Sequence, residues 1–111
     1  MAKPSPTSRT LALLREQGYL AEVVEKKVPG QPISQDLIGC IDILGIGHGR
    51  IIGVQATTGS NHAARRKKAQ NEPRLALWLA NGGEFEVWSW SKRKGVWTCR
   101  IEAVSPTATE Q

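Results

Sequence analysis

The chain has 111 residues, 40% of them apolar, with 15 Lys and Arg against 10 Asp and Glu for a formal net charge of +5. A mean hydropathy of −0.33 excludes a wholly disordered polymer. No apolar run approaches the ~18 residues that span a bilayer, so no membrane partner is expected.

The length fits one small domain with one core, without room for separate catalytic and binding domains. A pI near 9.6 favours an anionic partner. Asp occurs only at Asp36 and Asp42, so a carboxylate metal site must draw on a short list. Cys40 and Cys99 form no CxxC and no zinc-spaced cluster with His. Met1 to Pro6 holds no apolar signal core. Together these features predict an intracellular, cytoplasmic protein whose cysteines are reduced, small buried residues.

Residues 1–7 hold two prolines and read as a flexible arm, residues 8–104 as a single domain, and residues 105–111 as a flexible tail. Ser8 or Thr7 can cap a helix from Thr10 that Gly18 stops, with Leu11 and Leu14 in its buried stripe. Tyr19 to Lys26 is a first strand, and Pro29, Gly30 and Pro32 mark a turn. Leu37 to Ile46 is dense in Ile and Leu around Asp42. Gly45, Gly47 and Gly49 then surround His48 in a hairpin turn, and the chain returns as a strand from Arg50 to Thr57.

Ser60 can cap a helix from Asn61. Pro73 either kinks that helix or begins a second one, in which Leu75, Trp78 and Leu79 form an apolar face. Asn81, Gly82 and Gly83 stop it. Glu84 to Ser91 alternates, with Phe85, Val87 and Ser89 on one face and Glu86, Trp88 and Trp90 on the other. A turn at Lys92 to Gly95 leads into a last strand, Val96 to Ile101. The order α-β-β-β-α-β-β predicts an α/β domain, a mixed central sheet flanked by helices.

One constellation stands out. Asp42 lies within Ile41-Asp42-Ile43-Leu44, where a buried charge is costly unless it meets a cation, a metal or hydrogen-bond donors. Strand alternation turns Asp42 away from Ile41 and Ile43. If the hairpin pairs its two strands, Asp42 comes near Gln55, which shares a face with Thr57. An acid beside amide and carbonyl oxygens suits a hard cation such as Mg²⁺.

These residues and their setting resemble the PD-(D/E)XK nuclease superfamily, in particular its small Holliday-junction-resolvase-like endonucleases. Members carry an N-terminal helix, a strand bearing Asp, a hairpin to a strand bearing (Glu/Gln)-x-Lys, and a basic helix. Here Ile41-Asp42-Ile43-Leu44 stands for the Asp element and Gln55-Ala56-Thr57 for the second, over a layout from Ser8 to Ile101. The resemblance implies a restriction-endonuclease-like core and a Mg²⁺- or Mn²⁺-dependent hydrolase cutting DNA phosphodiesters, with branched junctions as candidate substrates. It implies metal ligation by Asp42, Gln55 and the Ala56 carbonyl, and catalytic roles for Asp42, Gln55, Thr57 and Lys68. Thr57 replaces the motif lysine, so Lys67 or Lys68 from the following helix is the candidate substitute. The acid that many resolvases carry on the first helix is missing; Glu16, Glu22 or Glu25 is left to compensate.

Residues 61–74 hold Arg65, Arg66, Lys67, Lys68 and Arg74 against Glu72, a net +4 of the total +5. With Arg9 and the Lys92-Arg93-Lys94 turn they are candidate phosphate contacts, which position a backbone without reading sequence. Trp88 and Trp90 share an apolar face that packs the sheet against a helix or a second subunit, the latter suggesting a homodimer, and those rings could instead stack on bases. The competing readings are a catalytically degenerate nuclease fold that only binds nucleic acid, and an interaction protein that uses its tryptophan face.

Overall fold

The computed structural model describes residues 4–32 and 34–105. Three helices and seven strands follow in chain order: α1 (Pro6–Glu16), β1 (Leu20–Val23), β2 (Lys26–Lys27), β3 (Ser34–Gln35), β4 (Ile43–Gly47), β5 (Arg50–Thr58), α2 (His62–Gln70), α3 (Pro73–Ala80), β6 (Glu84–Arg93) and β7 (Val96–Ala103). The main sheet has the order β1-β4-β5-β6-β7. Its neighbours pair antiparallel except β5 and β6, which run parallel. Parallel strands need a crossover, and α2 and α3 supply it. The fold is thus α/β with a mixed five-stranded sheet. No helix among the described residues is long and apolar enough to cross a membrane.

The first helix starts earlier than its leucine pattern indicates. Ser5 caps it, accepting from the Ser8 N–H while the Ser8 hydroxyl accepts from the Ser5 N–H, and Pro6 occupies the first turn, where its missing donor costs nothing. The arm read over residues 1–7 therefore ends at Pro4, and residues 1–3 lie outside the described part. Gly18 closes the helix at φ +97°, as expected of a residue just past a C-cap. Of the tail, Ser105 alone is among the described residues.

Pro73 begins a separate helix, capped by the Glu72 side chain, which accepts from the Arg74 N–H. A short 3₁₀ turn, Gly59–Asn61, precedes α2, so Ser60 is not its cap. The β4–β5 hairpin turns on His48 (φ 52°) and Gly49 (φ 74°), the left-handed pair that a two-residue turn of this hand requires. The His48 Nε2 lies 2.7 Å from the Gln17 carbonyl and its ring stands edge-on to Tyr19, which offsets the strain of a non-glycine residue there.

Helices cover both faces of the sheet. Leu14 of α1 packs with Ala21, Ile43, Ile52, Val54 and Trp88 on one face. On the other, Ala69 of α2 and Leu75 of α3 pack with Ile41, Phe85 and Val87. Ile41 and Ile43 therefore serve opposite faces, against the strict alternation read from the sequence. The reason is that β4 begins only at Ile43. Residues 37–41 form a tight turn with Ile38 and Gly39 at positive φ, closed by the Leu37 N–H to the Ile41 carbonyl at 2.9 Å. Ile41 then folds over Gly53, where a Cβ would come within 2.5 Å of its Cδ1.

Trp88 is buried beneath α1 and Trp90 donates to the Thr10 hydroxyl at 2.9 Å. Both are packing residues, so neither offers a ring to a base. Replacing Leu14 by Ala should cost about 2–5 kcal/mol through transfer and cavity terms, and Ser5→Ala about 1 kcal/mol through the lost cap. Urea unfolding checks the order: equal losses would contradict the assigned burial.

Candidate active site

The site is assembled where β4 and β5 begin to part. The Asp42 N–H donates to the Val54 carbonyl at 2.9 Å, and its own carbonyl accepts from the Val24 N–H at 2.8 Å. These bonds fix the Asp42 backbone between β5 and the end of β1. Its side chain then meets the next residues of β5. Asp42 Oδ2 accepts from Gln55 Nε2 at 2.7 Å and from the Ala56 N–H at 2.9 Å. Asp42 is 4% exposed and Gln55 3%. The proximity expected from the hairpin is therefore a direct buried hydrogen bond. A strand residue sends its N–H and C=O toward the same neighbour, so the Ala56 carbonyl faces the same opening.

Two further acids join Asp42. Glu25, Asp36 and Asp42 each bring a carboxylate oxygen within 4.8 Å of the others. Glu25 is the acid that the structure selects from Glu16, Glu22 and Glu25. Asp36 is not among the ligands that the resemblance implies. The signal lay in the turn: β2 and β3 pair Lys26 with Gln35 around Pro29-Gly30, so the next positions outward are Glu25 and Asp36. The register of a two-residue ladder was not legible in advance.

Burial pushes the Asp42 carboxyl from its usual range up to about 8. A hydrogen bond that the protonated Asp42 donates to Asp36, and the charges of Asp36 and Glu25, push the same way, against the Ala56 N–H. Burial and the Asp36 charge also raise Glu25. This cluster lacks positive charge. Gln55 adds a second sign of the same lack: its amide nitrogen is committed to Asp42, and its Oε1 is buried with no hydrogen-bond partner among the described residues. A buried acceptor without a partner is uncommon and costs on the order of 1–3 kcal/mol. Three carboxylates, a free amide oxygen and a strand carbonyl form the all-oxygen donor set that Mg²⁺ or Mn²⁺ takes.

The cluster opens into a recess of about 300 Å³ whose other wall carries Arg65 and Lys68 of α2, three residues apart and so on one helix face. Lys68 and Arg65 thus stand where the sequence reading wanted a lysine and a phosphate contact. The other candidates lie elsewhere. Thr57 is buried one pleat further along β5 and does not line the recess. Arg66 points to the far side of α2, 3.3 Å from Glu102, and Lys67 is exposed between the two faces. Arg74 is held by both oxygens of Glu72 at 2.9 Å. Arg9 lies over the Trp97 ring, 4.0 Å from its centroid. The basic run therefore does not act as one patch. Burial raises the thiols of Cys40 to about 12 and Cys99 to about 11, which leaves neither a ready nucleophile.

Comparison of the chain with protein-family models, with curated proteins and with solved structures finds no match in any of the three.

An acid whose pKa rises on folding stabilises the fold below its unfolded value and loses that contribution as pH climbs through the folded one. In divalent-free buffer the melting temperature should therefore fall between about pH 4 and pH 8, the limits set by Asp42. Asp42→Asn should flatten that fall while retaining an acceptor for Gln55 and Ala56. A fall of the same size in the variant would assign it to other groups.

Proposed function

We propose that the protein is a metal-dependent endonuclease that hydrolyses DNA phosphodiesters, resembling the small junction-resolving members of the PD-(D/E)XK superfamily. The observation that carries this reading is the unpartnered Gln55 Oε1, buried beside three carboxylates and facing Arg65 and Lys68. The fold is compatible with it: a helix, the antiparallel run β1-β4-β5 and a basic helix follow in the order that the resemblance implies. A homodimer, which would bring two sites to two strands, rests on the exposed cross-strand row Leu20, Ile46 and Ile51 rather than on Trp88 and Trp90.

Asp42, Glu25, Asp36, Gln55 Oε1 and the Ala56 carbonyl would hold Mg²⁺ or Mn²⁺. Such an ion supplies Lewis-acid polarisation of a phosphoryl oxygen and activation of water when bound. Arg65 presents a planar fork of donors suited to the non-bridging oxygens of a phosphate. The Lys68 ammonium sits across from the acids, where it can orient the attacking water or stabilise charge on the departing oxygen. In the net reaction the water oxygen bonds to phosphorus, the phosphorus–oxygen bond to one sugar breaks, and the water's proton ends on the departing oxygen or in solvent. Gln55 fixes Asp42 throughout and keeps its other amide atom free for the cation.

Cleavage of branched, duplex and single-stranded DNA with Mg²⁺ or Mn²⁺ tests the assignment. Asp42→Asn should lower the rate by about 100-fold or more, and Lys68→Ala by on the order of 100-fold. DNA that stays intact with the wild-type chain, yet binds it, would replace this reading with that of a nucleic-acid-binding module.

A further inference from the structure

A second polar recess lies on the same face of the sheet as the acidic one. It measures about 480 Å³ and is lined by Gly59, Ser89, Ser91, Arg93, Thr98 and Arg100. The register shows how the two are related. Gln55 pairs with Val87 and Val87 with Glu102, while Thr57 pairs with Ser89 and Ser89 with Arg100. Residues paired across strands share a face, so Gln55, Thr57, Ser89 and Arg100 all project toward the α2 side. Two strand spacings and two residues of rise separate Gln55 from Arg100, about 12 Å.

The lining holds two guanidinium groups and three hydroxyls and no carboxylate. Arg93 has no acidic partner among the described residues. Arg100 is 63% exposed and reaches Glu102 only at 3.7 Å, which leaves most of its donors free. The Ser89 wall is fixed from behind: its hydroxyl lies 2.6 Å from Nδ1 of the buried His62, whose Nε2 lies 2.8 Å from Glu102. Glu102 meets His62 and Arg66 through the same Oε1 that Arg100 approaches, so that oxygen is shared three ways, and its carboxylate is held below the usual range first by the His62 hydrogen bond. A recess with many donors, little negative charge and a braced wall recognises an oxyanion. A small apolar ligand would find little to bind there.

We infer that this recess seats a backbone phosphate of the nucleic-acid strand whose scissile phosphate enters the acidic site. This inference rests on the nuclease reading. One strand carries a charge per ~3.4 Å of helix axis and winds as it rises, so ~12 Å places this contact within a few phosphates of the cut. Arg93 and Arg100 grip the phosphate, and Ser91 and Thr98 add neutral donors beside them. The contact sets the strand's register on the sheet without reading its bases.

Two arms test it on the full chain in EDTA, where nothing is cut. Inorganic phosphate followed by NMR should shift the amide resonances of Ser89, Ser91 and Thr98, and should not do so in Arg93→Ala/Arg100→Ala. A labelled duplex followed by anisotropy should bind that double variant about 10-fold more weakly at low salt. The slope of log K against log salt should fall in magnitude by about 0.9, the value for one phosphate neutralised. Arg93→Lys/Arg100→Lys should restore most of the slope, which a merely misfolded variant would not. An unchanged slope, or phosphate that shifts none of these resonances, overturns the inference. Phosphate binding without any binding of the duplex also overturns it, because the recess then serves free anions. Loss of both signals in the double variant, with DNA never cut by the wild type and Mg²⁺, leaves the recess standing as a strand contact and removes the nuclease assignment instead.

Discussion

A buried carboxylate organises this molecule. Asp42 is taken out of water by two packed layers of helix and compensated by one amide and one backbone N–H, both of which come from β5. Neither donor carries a full charge. Burying an ionised group in such a place is expensive unless it gains a cation or keeps its proton. The fold adds two more acids at the same spot, which makes the deficit larger. A chain selected for stability alone would gain by removing them. Their persistence around a free amide oxygen is the pattern expected of a site that waits for a divalent ion.

The rest of the architecture serves that arrangement. The I′-type turn at His48-Gly49 sets the β4–β5 register, and that register puts Asp42 opposite Gln55. A slip of one residue would turn Gln55 into the α1 core. The parallel partner β6 requires the crossover through α2, and the crossover carries Arg65 and Lys68 over the mouth of the acidic recess. The same crossover begins beside the second recess, at Gly59. Charge is thus sorted by position. Cations whose place is structural are paired, as Arg74 is with Glu72 and Arg50 with Glu84 and Glu86. Among the described residues, Arg65 and Lys68 at the acidic recess and Arg93 at the second have no ion-pair partner.

How much of this was legible depended on the range of the interaction. Asp42 and Gln55 could be joined from the sequence because a glycine-rich turn and two β-rich segments fix a local register. Lys68 was reachable by helical spacing from the end of β5. Glu25 and Asp36 were not, because the ladder that joins them has two pairs and no hydrophobic pattern of its own. For the tryptophans the sequence left open a helix or a second subunit as the covering layer, for a related reason. Alternation placed Trp88 and Trp90 on one face correctly, but nothing in a strand's own sequence says whether a helix covers that face; α1 does. A helix distributes the contiguous Arg65, Arg66, Lys67 and Lys68 around its axis, so they cannot all face one way; which of them meets the recess was not legible, and Arg66 goes to Glu102.

The central claim is that Gln55 Oε1 and the three acids form one cation site. Crystals soaked in Mn²⁺ and measured near the manganese absorption edge test it most directly. The account predicts an anomalous peak in contact with carboxylate oxygens of Asp42 and at least one of Glu25 and Asp36, with Gln55 Oε1 as a ligand or bonded to a ligand water. No peak there, with Gln55 Oε1 satisfied by protein donors alone and the acids sharing protons, would contradict it.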